Sequence, residues 1–240
     1  MSVLKGEGTV PILFGATTIA AGTQNHHSYL ARPDLAGEHP TVLIIPSAWG
    51  ITSSVKDLSR RLARWGLAVI VMDPYRDSPP ERSAPREVAN AALARVSRKR
   101  IRSDAIDVVD FVANPAGYWS SAEHGFGLLG IGGGGPVAVE LAASRGDVDG
   151  LALLYGELDD ETTASLAKVS APILGLYGKS DEVVSGEQRL AARDRAPHAE
   201  WVEYEGPGHD FLDDHLDDYD DVAAADSIER LVTFFEKNLP

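Results

Sequence analysis

FGLLGIGGGGPVAVELAA, residues 126–143, sets a six-residue apolar run before four consecutive glycines and then a helical pattern. A short run that is apolar throughout suits a parallel strand covered on both faces, and the glycines mark a tight passage from strand to helix. The same unit recurs on either side. Upstream stand TVLIIP (41–46) and LAVIVM (67–72); downstream stand GLALLY (150–155), PILGLYG (172–178) and EWVEY (200–204). Helical patterns fill the gaps at 53–65, 84–98, 103–113, 135–145, 185–195 and 221–238. TVPILF (9–14) and HSYLA (27–31) alternate more and precede any helix, so they predict an antiparallel edge hairpin. The alternation as a whole predicts an α/β three-layer sandwich, with a mostly parallel sheet of about eight strands flanked by helices and right-handed crossovers. With no repeat and no linker dividing the chain, residues 1–240 are expected to form one domain.

Composition narrows the function. The chain is 44% apolar and 24% charged, with 22 Lys/Arg against 36 Asp/Glu, a formal charge of −14 and no cysteine. Disulfides, thiolate metal sites and a cysteine nucleophile are thereby excluded. No apolar run approaches a membrane span, and the opening MSVLKGEGTV lacks the apolar core of a signal peptide, so a cytoplasmic protein without membrane contact is expected. The excess acid concentrates in HDFLDDHLDDYDD (209–221), which has neither glycine nor D-x-D-x-D-G spacing and is expected to be a solvated acidic surface. The basic stretch RVSRKRIR (95–102) is short, lies in an acidic chain and lacks interleaved aromatics, so nucleic acid is not an expected partner. The partner expected is a small molecule, the assembly a monomer or small homo-oligomer.

In open α/β sheets, ligands sit beyond the carboxyl ends of the strands. The residues there are Ser47-Ala48-Trp49-Gly50, Asp73-Pro74-Tyr75-Arg76, Gly132 to Gly135, Gly156-Glu157, Lys179-Ser180-Asp181 and Gly206-Pro207-Gly208-His209. A glycine turn after a strand, then Asp181, then His209, with gaps of 49 and 28 residues, follows the order in which α/β hydrolases supply nucleophile, acid and base. His209 on a glycine-flanked loop can act as general base, and Asp181 can orient its imidazole. Asp181 could otherwise be a helix cap, and His209 a surface loop residue.

HSYLARP, VLIIPSAWG, MDPYR, LGIGGGGP, YGKSDEVV, GPGHDF and YDDVAAADSIERLVTFFEKNL together resemble the dienelactone hydrolase family over nearly the whole chain. That resemblance implies an α/β-hydrolase fold without a large cap, a lactone or ester as substrate, no cofactor, Asp181 and His209 as acid and base, and the N–H groups of Ala48 and Gly133 as the oxyanion hole. It also places the nucleophile at Gly132, where the family has cysteine or occasionally serine, and its thiol-controlling glutamate at Ser47. Both parts are absent. Glycine keeps the left-handed turn easy while deleting the chemistry.

Several accounts then compete. His209 could activate a water in the vacated space, since binding and oxyanion terms alone retain about 10³- to 10⁴-fold over water. Ser47 could act as substitute nucleophile, whereas Ser180 reads better as a turn residue. The chain could be a non-catalytic binder, or a version of an active hydrolase whose nucleophile has been replaced. From a different class, Gly130 to Gly135 matches the dinucleotide fingerprint, with Glu157 near the place of a ribose-binding acid. Against that, the fingerprint normally opens the first strand of its domain. Trp49 and Tyr75 are candidate pocket walls, and Arg76 a candidate clamp for a substrate carboxylate. His26, His27, His124, His198 and His215 show no ligand spacing, so no metal is expected.

Overall fold

The structure, a computed structural model, describes residues 8–76, 78–113 and 126–239, so the first seven residues of the opening stretch lie outside it. Eight strands join one sheet: β1 (Ile12–Ala21), β2 (Gln24–Pro33), β3 (Thr41–Ile45), β4 (Ala68–Met72), β5 (Phe126–Ile131), β6 (Val148–Leu154), β7 (Ile173–Gly178) and β8 (Glu200–Tyr204). Their order is β1-β2-β4-β3-β5-β6-β7-β8. β1 and β2 form the expected antiparallel hairpin, longer than its apolar letters suggest because ten residue pairs are in register. β2 also runs antiparallel to β4, and every other neighbour is parallel.

Seven helices are described: α1 (Ser53–Ala63), α2 (Arg86–Arg95), α3 (Arg98–Ala113), α4 (Gly135–Ser144), α5 (Asp160–Leu166), α6 (Gly186–Arg195) and α7 (Asp221–Asn238). Side-chain caps fix where several begin. Thr52 accepts from the Val55 N–H, Asp159 from Thr162, Asp220 from Ala223, and Ser185 forms a capping box with Gln188. Two boundaries differ from the sequence expectation. The pattern at 84–98 breaks at Val96, whose backbone is extended, and α3 starts five residues early, because Ile101, Ala105, Val108, Val109 and Val112 form one buried stripe. Helix α5 was not anticipated; it is short and carries its own cap.

Burial on both sheet faces explains the unbroken apolar strands. Val42 and Ile44 of β3 join one core with residues of α1 and α7, while Leu43 and Ile45 join another with residues of α3 and α4. The acidic run 209–221 is only in part the solvated surface expected. Asp210 and Asp213 are buried; Arg86 bonds both Asp210 and Asp218, and Arg82 pairs with Asp213. A buried carboxylate requires a partner, and the segment entering α2 supplies two guanidinium groups. Asp214, Asp217 and Asp221 do remain exposed.

One strand residue limits how closely α7 can pack. A Cβ on Gly127 would lie 2.5 Å from the ring of Phe235, which is fully buried. Gly127→Ala is therefore expected to cost about 1–3 kcal/mol by overpacking, read as a lower midpoint in urea with an unchanged m-value.

Candidate active site

Loops from five strands converge at one end of the sheet. Ser47, Ala48 and Trp49 follow β3; Gly132 and Gly133 follow β5; Glu157 follows β6; His209 and Asp210 follow β8; and together with Arg86 and Asn90 of α2 they line one cleft. Asp181, after β7, stands behind His209. Backbone bonds tie the loops together: Glu157 N–H to the Gly132 carbonyl at 3.0 Å, Lys179 N–H to Tyr204 at 2.9 Å and Ser180 N–H to Pro207 at 3.2 Å.

The carboxylate of Asp181 is divided between two tasks. Oδ1 accepts from the N–H groups of Val183 and Val184, each at 2.8 Å, while Oδ2 accepts from Nδ1 of His209 at 2.8 Å. Asp181 thus ties the turn after β7 with one oxygen and meets His209 with the other; it is not the helix cap, since α6 starts at Gly186 and is capped by Ser185. A carboxylate only accepts, so the proton of the neutral imidazole sits on Nδ1 and the lone pair on Nε2 faces the cleft. His209 is 4% exposed, and its ring packs 5.1 Å from that of Tyr155. Tyr155 and Asp210 both hold positive φ (40° and 54°), an uncommon backbone state for non-glycine residues, on either side of this histidine.

Gly132 adopts φ +49° at the start of a 3-10 turn. A Cβ built there would point at the histidine, 3.6 Å from Nε2 and 3.2 Å from Cβ of Ser47. The cleft over Gly132 has a free volume of about 10 Å³, room for roughly one water. The glycine turn opens after a strand at the centre of the sheet, the fifth in sequence, and faces a histidine and an acid, which is not the setting of a dinucleotide fingerprint.

Ser47 and Trp49 line the cleft beside Ala48. Trp49 donates from Nε1 to the Ala84 carbonyl and carries the Arg82 guanidinium over its ring. Tyr75 sits behind this wall: its hydroxyl donates to the Ala48 carbonyl at 2.5 Å, and burial, helped by the Asp73 charge, pushes its pKa up to about 12, so it stays a donor. Arg76 is not at the cleft. Its guanidinium bonds both oxygens of buried Asp104, at 3.2 and 2.5 Å, because a buried carboxylate there needs a cation more than the cleft does. Ser180 is exposed on the turn. The sequence reading missed Arg86, Asn90, Tyr155 and Asp210, which reach the cleft from α2 or flank the histidine; nothing local marks them. Burial raises the pKa of Asp210 although the charges of His209 and Arg86 lower it. Among the described residues no three potential ligands cluster to hold a metal, and no helix is long and apolar enough to cross a membrane.

Two outcomes check this geometry. In Asp181→Asn the amide oxygen stays with the Val183 and Val184 N–H groups, so the NH₂ faces Nδ1 and forces the ring proton to Nε2, visible as exchanged ¹⁵N shifts of the two ring nitrogens. Arg76→Ala leaves Asp104 with only Arg100, 4.0 Å away, and is expected to cost about 1–3 kcal/mol, lowering Tm by roughly 3–10 °C while leaving ligand binding at the cleft unchanged.

Comparison with known proteins agrees with this architecture. The chain is 28% identical over 243 residues to a Yersinia pestis protein named "Putative carboxymethylenebutenolidase", covering 93% of this chain and 88% of that one. It is 24% identical to a Bradyrhizobium protein named "Probable 2-oxo-3-(5-oxofuran-2-ylidene)propanoate lactonase", covering 92% and 93%. A crystal structure described as "Putative Dienelactone Hydrolase" from Klebsiella pneumoniae superposes with a TM-score of 0.85 at 25% identity, over 95% of this chain and 99% of that one. The sheet is that of an α/β-hydrolase, and the model of the dienelactone hydrolase family matches residues 27–239: the chain belongs to the dienelactone hydrolase family.

Proposed function

We propose that this protein hydrolyses a small ester or lactone with water, rather than a side chain, as the attacking group. The observation that carries the reading is the space over Gly132, sized for about one water and bordered by His209 Nε2. A water there gives its proton to Nε2 as its oxygen bonds to the substrate carbonyl carbon. The carbonyl oxygen becomes an oxyanion, received by the N–H groups of Ala48 and Gly133. Collapse re-forms the carbonyl, breaks the bond to the alcohol oxygen and returns the proton from Nε2 to that oxygen. An ester yields acid and alcohol; a lactone yields a hydroxy acid. Asp181 holds the tautomer and stabilises the imidazolium between the two transfers.

Tyr75 serves the same site indirectly, through the bond that pins the Ala48 loop. Ser47 offers a second reading, because its side chain borders the same space: its hydroxyl could take the place of the water.

Four proteins test the proposal on p-nitrophenyl acetate and a five-membered lactone. The unaltered chain is expected to exceed His209→Ala by about 10²-fold or more. Gly132→Cys is expected to gain a further large factor, since its Sγ is carried by a Cβ 3.6 Å from Nε2, at a cost of about 1–2 kcal/mol for a side chain at positive φ. Equal rates for the unaltered chain and His209→Ala would remove the water mechanism. Loss of turnover in Ser47→Ala would transfer the nucleophile to Ser47.

A further inference from the structure

We propose that Glu157 selects the substrate, receiving an ammonium or similar cationic group carried a few bonds from the reacting carbonyl and turning anionic substrates away. The inference deepens the hydrolase reading and uses its cleft. Glu157 is fixed to the catalytic turn by its own backbone, whose N–H donates to the Gly132 carbonyl at 3.0 Å. Its side chain reaches back over the next residue, with Oε1 3.5 Å from the place a Cβ on Gly133 would occupy. It borders both the cleft over Gly132 and an adjoining cavity of about 400 Å³, walled by Leu93, Val96, Ile101, Pro136 and Val137. That volume suits a small ligand, and apolar walls with a few polar groups, here Glu157, Asn90 and Arg98, are how such cavities obtain orientation.

The carboxyl group of Glu157 makes no hydrogen bond or ion pair with any described residue, whereas the cations around it are engaged. Arg98, on the cavity wall, bonds Asp159 at 2.5 Å and Glu140 at 3.3 Å. Arg86, on the cleft wall, is shared by Asp210 and Asp218. The local field is therefore negative: two carboxylates, Glu157 and Asp210, face the cleft, and its one arginine is already held by two acids. Burial raises the pKa of Glu157, helped by the Asp210 charge, although the charges of His209 and Arg98 lower it. A bound ammonium supplies a cation through a charge-assisted hydrogen bond, while a carboxylate would meet like charge in a partly desolvated space. The lack of a side chain at Gly133 makes the approach possible, since a Cβ there would lie 2.6 Å from Leu93 and 3.5 Å from Oε1 of Glu157.

The test reads binding, so it does not depend on turnover. Butylammonium, butanol and butyrate are titrated at neutral pH into the full chain, following the amide resonances of Gly132 and Gly133 by ¹H–¹⁵N NMR. Butylammonium is expected to bind about tenfold tighter than butanol, in line with one charge-assisted bond, and butyrate more weakly than butanol. Glu157→Gln, which keeps the shape, should bring the three within about twofold of each other, and Glu157→Lys should reverse the order. Equal affinities in the unaltered chain, absence of butylammonium binding there, or an unchanged order in Glu157→Gln each overturn the proposal. Should the ester assay fail while the ammonium preference holds, the hydrolase reading falls and Glu157 stands as a cation-binding group of the cleft, not as a selector of an ester or lactone.

Discussion

The candidate site depends on how one carboxylate is shared. Asp181 gives one oxygen to the two N–H groups of the turn that follows β7 and the other to His209. The first pair of bonds makes the aspartate part of the backbone framework, so the second bond fixes the imidazole relative to the sheet itself. Because both groups are almost completely buried, water does not compete for these bonds, and each is worth more than it would be on the surface. The ring position, its tautomer and the direction of Nε2 all follow from that single arrangement.

The rest of the structure reinforces the same point from outside. Tyr155 packs tilted against His209 and edge-on to Phe211, and Arg86 draws Asp210 and Asp218 toward α2. The loop after β8 is thus held on one side by an aromatic core and on the other by a guanidinium. On the opposite wall, Tyr75 grips the Ala48 carbonyl and leaves that residue's N–H directed by the loop. These contacts are spread over four loops and one helix, which is why the cleft is held from several sides although the turn at its base carries no side chain.

Gly132 separates scaffold from chemistry. Its φ of +49° lies in the left-handed region, which glycine adopts without the strain a side chain would bring. The turn therefore sets no side-chain atom over the cleft. This is the physical ground for reading the space above it as the place of a water, and for reading Glu157, which is bonded to the same turn, as a partner of the substrate.

Much of the fold was legible in the letters: apolar runs without alternation at β3 to β7 and an alternating hairpin before any helix. Those features act over a few residues, so the sequence determines them directly. The order of glycine turn, Asp181 and His209 was legible for the same reason, each lying just after a strand. What the tertiary structure alone decided were meetings between residues far apart in the chain. Arg76 went to Asp104 rather than to the cleft, Arg86 reached across to Asp210, and the acids of 209–221 divided between burial and solvent. A charge finds its partner by proximity and desolvation, and neither exists until the sheet has brought its loops together.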